Sequence, residues 1–180
     1  SGIAGLVYAL KVADHGSVSL VTKREISETA TNLAQGGIAT VFSDEDSFAA
    51  HFEDTMKAGC FLSHEDVVQL VVESGPQAVK ELIHLGVQFT RRADRSFDLT
   101  REGGHSKRRI LHAADITGRE IERALVAAAC SHPNIRIFEY HIAIDLITEG
   151  KVTGRPSGHD RCLGAYALDI RTGKIITIGA

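Results

Sequence analysis

At 180 residues, 43% apolar and 24% charged, the chain is long enough to enclose a full-sized core. A net charge of -3 gives no electrostatic reason to expect nucleic acid or an anionic membrane as a partner. No apolar run approaches the roughly 20 residues that cross a bilayer.

The opening stretch, SGIAGLVYALKVADHG, predicts a helix beginning at the very start, with Ile3, Leu6, Val7 and Leu10 on one face and Gly16 as its stop. Residues 17–22 (SVSLVT) form a β-rich run, and residues 23–37 read as a loop ending in a glycine pair. Residues 47–59 predict a second helix, with Phe48, Phe52 and Met56 spaced by four. Ser63-His-Glu-Asp66 has the form of a capping box opening a third helix, which Ser74-Gly75-Pro76 is expected to interrupt. Pro76 then starts a new helix that Gly86 ends. Residues 87–90 and 97–99 suit a hairpin around a turn at 93–96. Thr117-Gly-Arg-Glu120 reads as a capping box for a broad-faced apolar helix over 117–129. Residues 135–140, 143–148, 165–170 and 174–178 then read as a run of antiparallel strands, with turns at Glu149-Gly150, 156–158 and Thr172-Gly173. This order predicts an α/β fold with an inserted antiparallel β-meander.

Cys60, Cys130 and Cys162 are odd in number and far apart, and are expected to be small apolar fillers in a reducing compartment. His105 and His112 stand seven apart without a Cys or carboxylate at metal-ligand spacing, so no metal is expected.

Gly2-Ile-Ala-Gly5 at a helix start matches the last two glycines of GxGxxG, a motif that lets backbone amides approach a pyrophosphate. Packing alone also produces Gly-x-x-Gly at helix starts. The acid that binds the ribose in NAD sites should end the second strand, where this chain has Thr22-Lys23, so NAD is disfavoured. Lys23 either neutralises a phosphate or stays solvated. Gly36-Gly37 permits close backbone approach to a ring, with Gln35 as amide donor and acceptor; a plain turn is the alternative. Arg101, His105, Lys107, Arg108, Arg109 and His112 form a dense basic segment. It reads as a patch attracting a dianionic substrate, as a solvated loop with one or two structural ion pairs, or as a weak nucleic-acid patch lacking aromatics.

Three segments together, SGIAGL, TATNLAQGGIATVF and LTREGGHSKRRILHAADITGRE, resemble the flavoprotein family of succinate dehydrogenase, fumarate reductase and L-aspartate oxidase. The third is most similar to the L-aspartate oxidase branch. The resemblance implies a Rossmann-like FAD-binding domain. Residues 1–180 would be part of it, truncated at both ends, with the first strand, the capping domain and the C-terminal part lying outside. It implies FAD contacts at Ser1, Gly2, Ile3 and Ala4 around the pyrophosphate, at Lys23, and along the flavin at Ala30, Thr31, Asn32, Leu33, Ala34, Gln35, Gly36 and Gly37. Ala30 stands where the succinate and fumarate enzymes carry the His that bonds FAD covalently, which implies a non-covalent flavin. Asn32 and Leu33 replace aromatic residues expected in some members. Glu102 matches the carboxylate that orients the substrate in L-aspartate oxidases, and a negative partner for the α-ammonium distinguishes aspartate from succinate.

The activity so implied is oxidation of L-aspartate to iminoaspartate, the first step of de novo NAD synthesis. Oxygen or fumarate would be the electron acceptor, quinolinate synthase the next enzyme and the cytoplasm the location, with no nucleic acid or membrane as partner. The proton-accepting Arg of the family lies outside residues 1–180, so this stretch alone is expected to be inactive. The competing readings are a soluble fumarate reductase-like flavoprotein and a flavin-binding module without turnover.

Overall fold

The chain folds as two units, residues 1–29 with 126–180 and residues 30–125, in a computed structural model that describes residues 1–114, 116–155 and 159–180.

In the first unit, helix α1 (Ile3–Val12) packs on strand β1 (Val18–Thr22). Its buried face is Leu6, Ala9 and Ala13; Ile3, Val7 and Leu10 are half-buried, so two alanines hold the innermost positions beside Leu6. Alanine lets a helix lie close to a sheet. The helix ends with the Ala13 N–H on the Ala9 carbonyl, before Gly16. Strand β1 pairs in parallel with β4 (Ile135–Glu139), Val18 opposite Ile135 and Thr22 opposite Glu139. Asn134 fixes the entry: its carbonyl accepts the Val18 N–H and its Nδ2 donates to the Ala13 carbonyl, each at 2.8 Å. The expected run of antiparallel strands is therefore corrected at its first member, because β4 joins β1. The other three form an antiparallel sheet in the order β5 (His141–Thr148), β6 (Cys162–Asp169), β7 (Ile175–Gly179).

The turn expected at Glu149-Gly150 is instead a short helix, here called α6 (Glu149–Thr153). Thr148 Oγ1 caps it by accepting the Lys151 N–H, and Gly154 closes it at φ +70°. The turn expected at 156–158 lies outside the described residues.

In the second unit, a single helical turn, α2 (Ala30–Leu33), interrupts the expected loop. Strand β2 (Ile38–Ala39) pairs antiparallel with β3 (Ile110–Leu111). Helix α3 (Phe48–Ala58) has the expected bounds, with the Ser47 hydroxyl accepting the Ala50 N–H and Gly59 as C-cap. Helix α4 (Glu65–His84) departs from expectation twice. His64 is its N-cap without a side-chain bond, so no capping box forms, and Glu65 and Asp66 offset the helix dipole instead. The helix also runs unbroken through Pro76. Proline removes one backbone bond, but Val68, Val72, Val79 and Leu82 stay buried on both sides of it. Met56, Val68 and Val72 form a core with Phe52 packed against it. A Cβ on Gly75 would stand 2.9 Å from Thr40 Oγ1, so the helix rests directly on that residue. Gly86, at φ +98°, follows the helix end as expected.

The hairpin over 87–99 is reduced to its turn, closed by Arg92 N–H to Ser96 O (2.9 Å) and Asp98 N–H to Thr90 O (3.0 Å), with a lone bridge between Arg91 and Phe97. Helix α5 (Thr117–Ser131) begins at Thr117, so that residue is inside the helix and not its cap. Its Oγ1 accepts the Ala113 N–H, while the Glu120 carboxylate accepts the Gln88 N–H and pairs with Arg123. Tertiary partners thus take both halves of the expected capping box. Cys60, Cys130 and Cys162 are exposed free thiols rather than fillers. No helix among the described residues is long and apolar enough to cross a membrane.

Candidate functional site

The first unit carries the candidate phosphate end. Gly2 caps α1 with extended backbone (φ -72°, ψ 176°), and its carbonyl accepts the Leu6 N–H at 3.0 Å. No side chain caps this end and no acid sits in the first turn. The amides of a first helical turn lack intrahelical acceptors and carry partial positive charge, which suits a phosphate. A Cβ on Gly5 would meet nothing within 4 Å, so no neighbour in the chain requires a glycine there. Ser1 Oγ lies 3.1 Å from Thr22 Oγ1, tying the start of α1 to the end of β1. Thr22 is buried and Lys23 beyond it is exposed. The structure thus brings Ser1 and Gly2, and behind them Ile3 and Ala4, beside the strand end where Lys23 begins.

The second unit carries the candidate flavin loop, residues 30–37. Its first half is the α2 turn, closed by the Ala34 N–H on the Thr31 carbonyl at 3.1 Å. The start of α5 rests on that turn. The Gly118 N–H donates to the Ala34 carbonyl at 3.0 Å, and a Cβ on Gly118 would overlap the Thr31 carbonyl oxygen and stand 2.8 Å from Ala34 Cβ. The second half is held at Gly37, where a Cβ would overlap the Leu111 carbonyl oxygen and the Ile110 side chain. Between these anchors Leu33, Ala34, Gln35 and Gly36 are exposed, and a Cβ on Gly36 would meet nothing within 4 Å. Backbone sterics therefore explain Gly37 but not Gly36, and an open glycine on an anchored loop fits close approach by a planar ring. Ala30 presents only a methyl group and cannot bond a flavin through a ring nitrogen.

Glu102 lies in the same unit, in an exposed turn. Its carbonyl accepts the His105 N–H at 3.3 Å, and Gly104 bends the turn at φ +83°. Among the described residues its carboxylate makes no hydrogen bond or ion pair. Two of the neighbouring cations are engaged elsewhere, while Arg101 and Lys107 are exposed. Arg108 Nε donates to the Leu99 carbonyl at 2.9 Å. Arg109 is fully buried: its Nε and Nη2 grip the two oxygens of Asp46 at 2.8 and 2.7 Å, and its Nη1 reaches Asp54 at 2.7 Å. Asp54 Oδ2 also accepts the Ser106 N–H and hydroxyl, each at 2.7 Å. Burial raises the Asp54 pKa, but these donors and the Arg109 charge prevail and hold it at about 2. Burial presses His51 below its usual range, and the charges of Arg109 and His105 add to that, against the pull of Asp46 and Asp54.

The basic segment therefore divides. Arg109 is structural, and His112 lies 3.6 Å from Asp98. Arg101, Lys107 and Arg108 line an open groove of about 930 Å³ together with Arg91 and Phe97. Neither Glu102 nor any residue of 30–37 lines that groove, although Arg101 and Ser106, on either side of Glu102 in the chain, do. The sequence reading missed Gly118 as the seat of the flavin loop, and Asp46 and Asp54 as partners of Arg109. Those two carboxylates stand 63 and 55 positions from the arginine, beyond any local pattern.

The chain is 49% identical to L-aspartate oxidase 2-a, chloroplastic, of Nicotiana tabacum over 98% of its length, and 46% identical to an L-aspartate oxidase of Pseudomonas aeruginosa over 100%. It spans 27% and 34% of those proteins. Among solved structures it resembles the quinol fumarate reductase flavoprotein of E. coli, with a TM-score of 0.86 and 31% identity over 99% of this chain and 30% of that one. The α/β fold thus resembles part of the fumarate reductase flavoprotein. The FAD binding domain family matches residues 1–180, and the chain belongs to that family, with FAD as its cofactor.

Proposed function

We propose that the protein carrying this chain oxidises L-aspartate to iminoaspartate with a non-covalent FAD. FAD, when bound, supplies the two-electron acceptor for the substrate's α-C–H bond, with oxygen or fumarate taking the electrons onward. In this reading the α1 N-terminus and Lys23 hold the pyrophosphate side, and residues 30–37 run along the flavin. Residues 1–180 are one part of the FAD-binding domain, with β5, β6 and β7 as its inserted meander. Quinolinate synthase would consume the product, in the cytoplasm or, as for the chloroplastic plant relative, in a plastid.

The observation that carries the choice of substrate is Glu102. It is an exposed carboxylate without a partner among the described residues, in a turn where Arg108 and Arg109 are committed elsewhere. A carboxylate kept clear of its neighbours is available to an ammonium group. The alternative that Glu102 merely pairs with Arg101, Arg108 or Arg109 to hold the loop has no support in these contacts. Glu102→Gln in the whole protein should lower kcat/KM for L-aspartate about ten- to a hundredfold and spare fumarate reduction. Equal loss of both activities would show that Glu102 is structural and remove the reason for choosing aspartate over a dicarboxylate, and flavin binding without either activity in the unaltered protein would point to a module without turnover.

A further inference from the structure

We propose that Asp54 is a positioning residue for Glu102, acting from helix α3 through Ser106 to set the turn that presents the Glu102 carboxylate. The proposal rests on the reading of Glu102 given above.

The turn has little rigidity of its own. Gly103 and Gly104 follow Glu102, and glycine is conformationally permissive. A Cβ on Gly103 would meet nothing within 4 Å, and the bond from the His105 N–H to the Glu102 carbonyl is long, at 3.3 Å. The base of the turn is fixed where Thr100 and Ile110 exchange backbone bonds of 3.0 and 3.1 Å. Its far end is fixed by Asp54. One carboxylate oxygen accepts the Ser106 amide, the Ser106 hydroxyl and Arg109 Nη1, all at 2.7 Å. The Asp54 side chain is only 12% exposed, so these charge-assisted bonds are shielded from water. Gly104 also backs onto α3, where its Cβ would stand 3.5 Å from the Ala58 side chain. A capped helix is a stiff platform, and α3 is capped at both ends. Remove the Asp54 contacts and the segment carrying Glu102 keeps its base but loses its outer anchor.

A misdirected Glu102 grips the α-ammonium less well in the ground state and transition state alike. The loss therefore falls on KM for L-aspartate more than on kcat. Fumarate has no ammonium and should not register it. In the whole protein, Asp54→Ala is expected to raise the L-aspartate KM about fivefold and to leave the fumarate KM within about twofold. In a Glu102→Gln background, Asp54→Ala should then add nothing to the aspartate KM, because the group it positions has lost its charge.

A change that strikes both substrates alike, or that adds in full to Glu102→Gln, overturns the proposal. If Glu102→Gln shifts the aspartate-to-fumarate ratio and Asp54→Ala does not, only the positioning role fails. If Glu102→Gln leaves the ratio unchanged, the reading of Glu102 fails and the positioning role falls with it. Should Asp54→Ala not fold, Ser106→Ala makes the same test by deleting one hydroxyl from an exposed loop. It is expected to raise the aspartate KM about twofold selectively, with Ser106→Thr restoring it, and the lack of a selective rise overturns the proposal.

Discussion

Arg109→Met tests the physics of the buried ion cluster directly. Arg109 is 0% exposed, Asp46 1% and Asp54 12%. Methionine fills much of the same space but removes three charge-assisted bonds and leaves a carboxylate buried without its counter-ion. Breaking a buried pair on one side costs roughly 3–5 kcal/mol. The lower end applies here, because Asp54 keeps both Ser106 donors and Asp46 keeps the Ser47 N–H at 2.8 Å. At about 2–4 °C per kcal/mol for a domain of this size, Tm should fall by roughly 6–12 °C. The second arm is Arg109→Met with Asp46→Asn, which removes the stranded charge but keeps an acceptor for Ser47. About half of the lost stability should return. Thermal unfolding followed by circular dichroism at neutral pH measures both. A fall below about 2 °C for the single variant, or a double variant less stable than the single, would show that the cluster is not the desolvated pair described.

The flavin loop offers a contrast between two glycines. Gly118→Ala drives a Cβ into the Thr31 carbonyl and should displace residues 30–37, weakening FAD retention and lowering Tm together. Gly36→Ala meets nothing in the chain, so it should leave Tm unchanged and weaken FAD alone; flavin fluorescence titration beside a melt separates the two, and intact FAD affinity in Gly36→Ala would mean the ring does not approach there. His51 makes a pH prediction. Its folded pKa lies below the unfolded 6.5, so its stabilisation is present above 6.5 and lost as pH falls below that value. Tm should therefore drop more steeply between about pH 7 and 5 in the native protein than in His51→Leu, and parallel slopes would exclude His51 as the titrating group. Asp54 follows, its contribution being lost between its unfolded 3.8 and about 2.

Local signals located most elements and failed where a distant partner decided. Ser47 and Gly59 bound α3 as read, because an N-cap hydroxyl and a C-terminal glycine act on their own helix. Ser74-Gly75-Pro76 misled because the breaker rule is local, whereas the buried stripe from Val68 to Leu82 spans α4. Thr117 and Glu120 have capping chemistry, but Ala113 and Gln88 claim it. Strand β4 looked like its neighbours to the eye of periodicity, which carries no information about parallel pairing with a strand read more than a hundred positions earlier. At the candidate site, motif and resemblance are what single out Gly2, Gly36 and Glu102. The Arg109 cluster was not legible, since an arginine among arginines has no mark that it is the buried one.

The pairing of β1 with β4 bears on the order in which the chain can fold as it is made. The Ile26 amide bonds to the Glu139 carboxylate, 113 positions later, and every ladder contact of β1 waits for the same stretch. Until residues 135–139 leave the ribosome, β1 lacks the strand it pairs with here. Helices α3 and α4, with their core of Met56, Val68 and Val72, are complete far sooner. Closure over so long a loop is slow relative to local helix packing. A nascent chain stalled within α5 would thus carry a folded α3–α4 pair and a β1 still waiting for β4, the species a chaperone would meet.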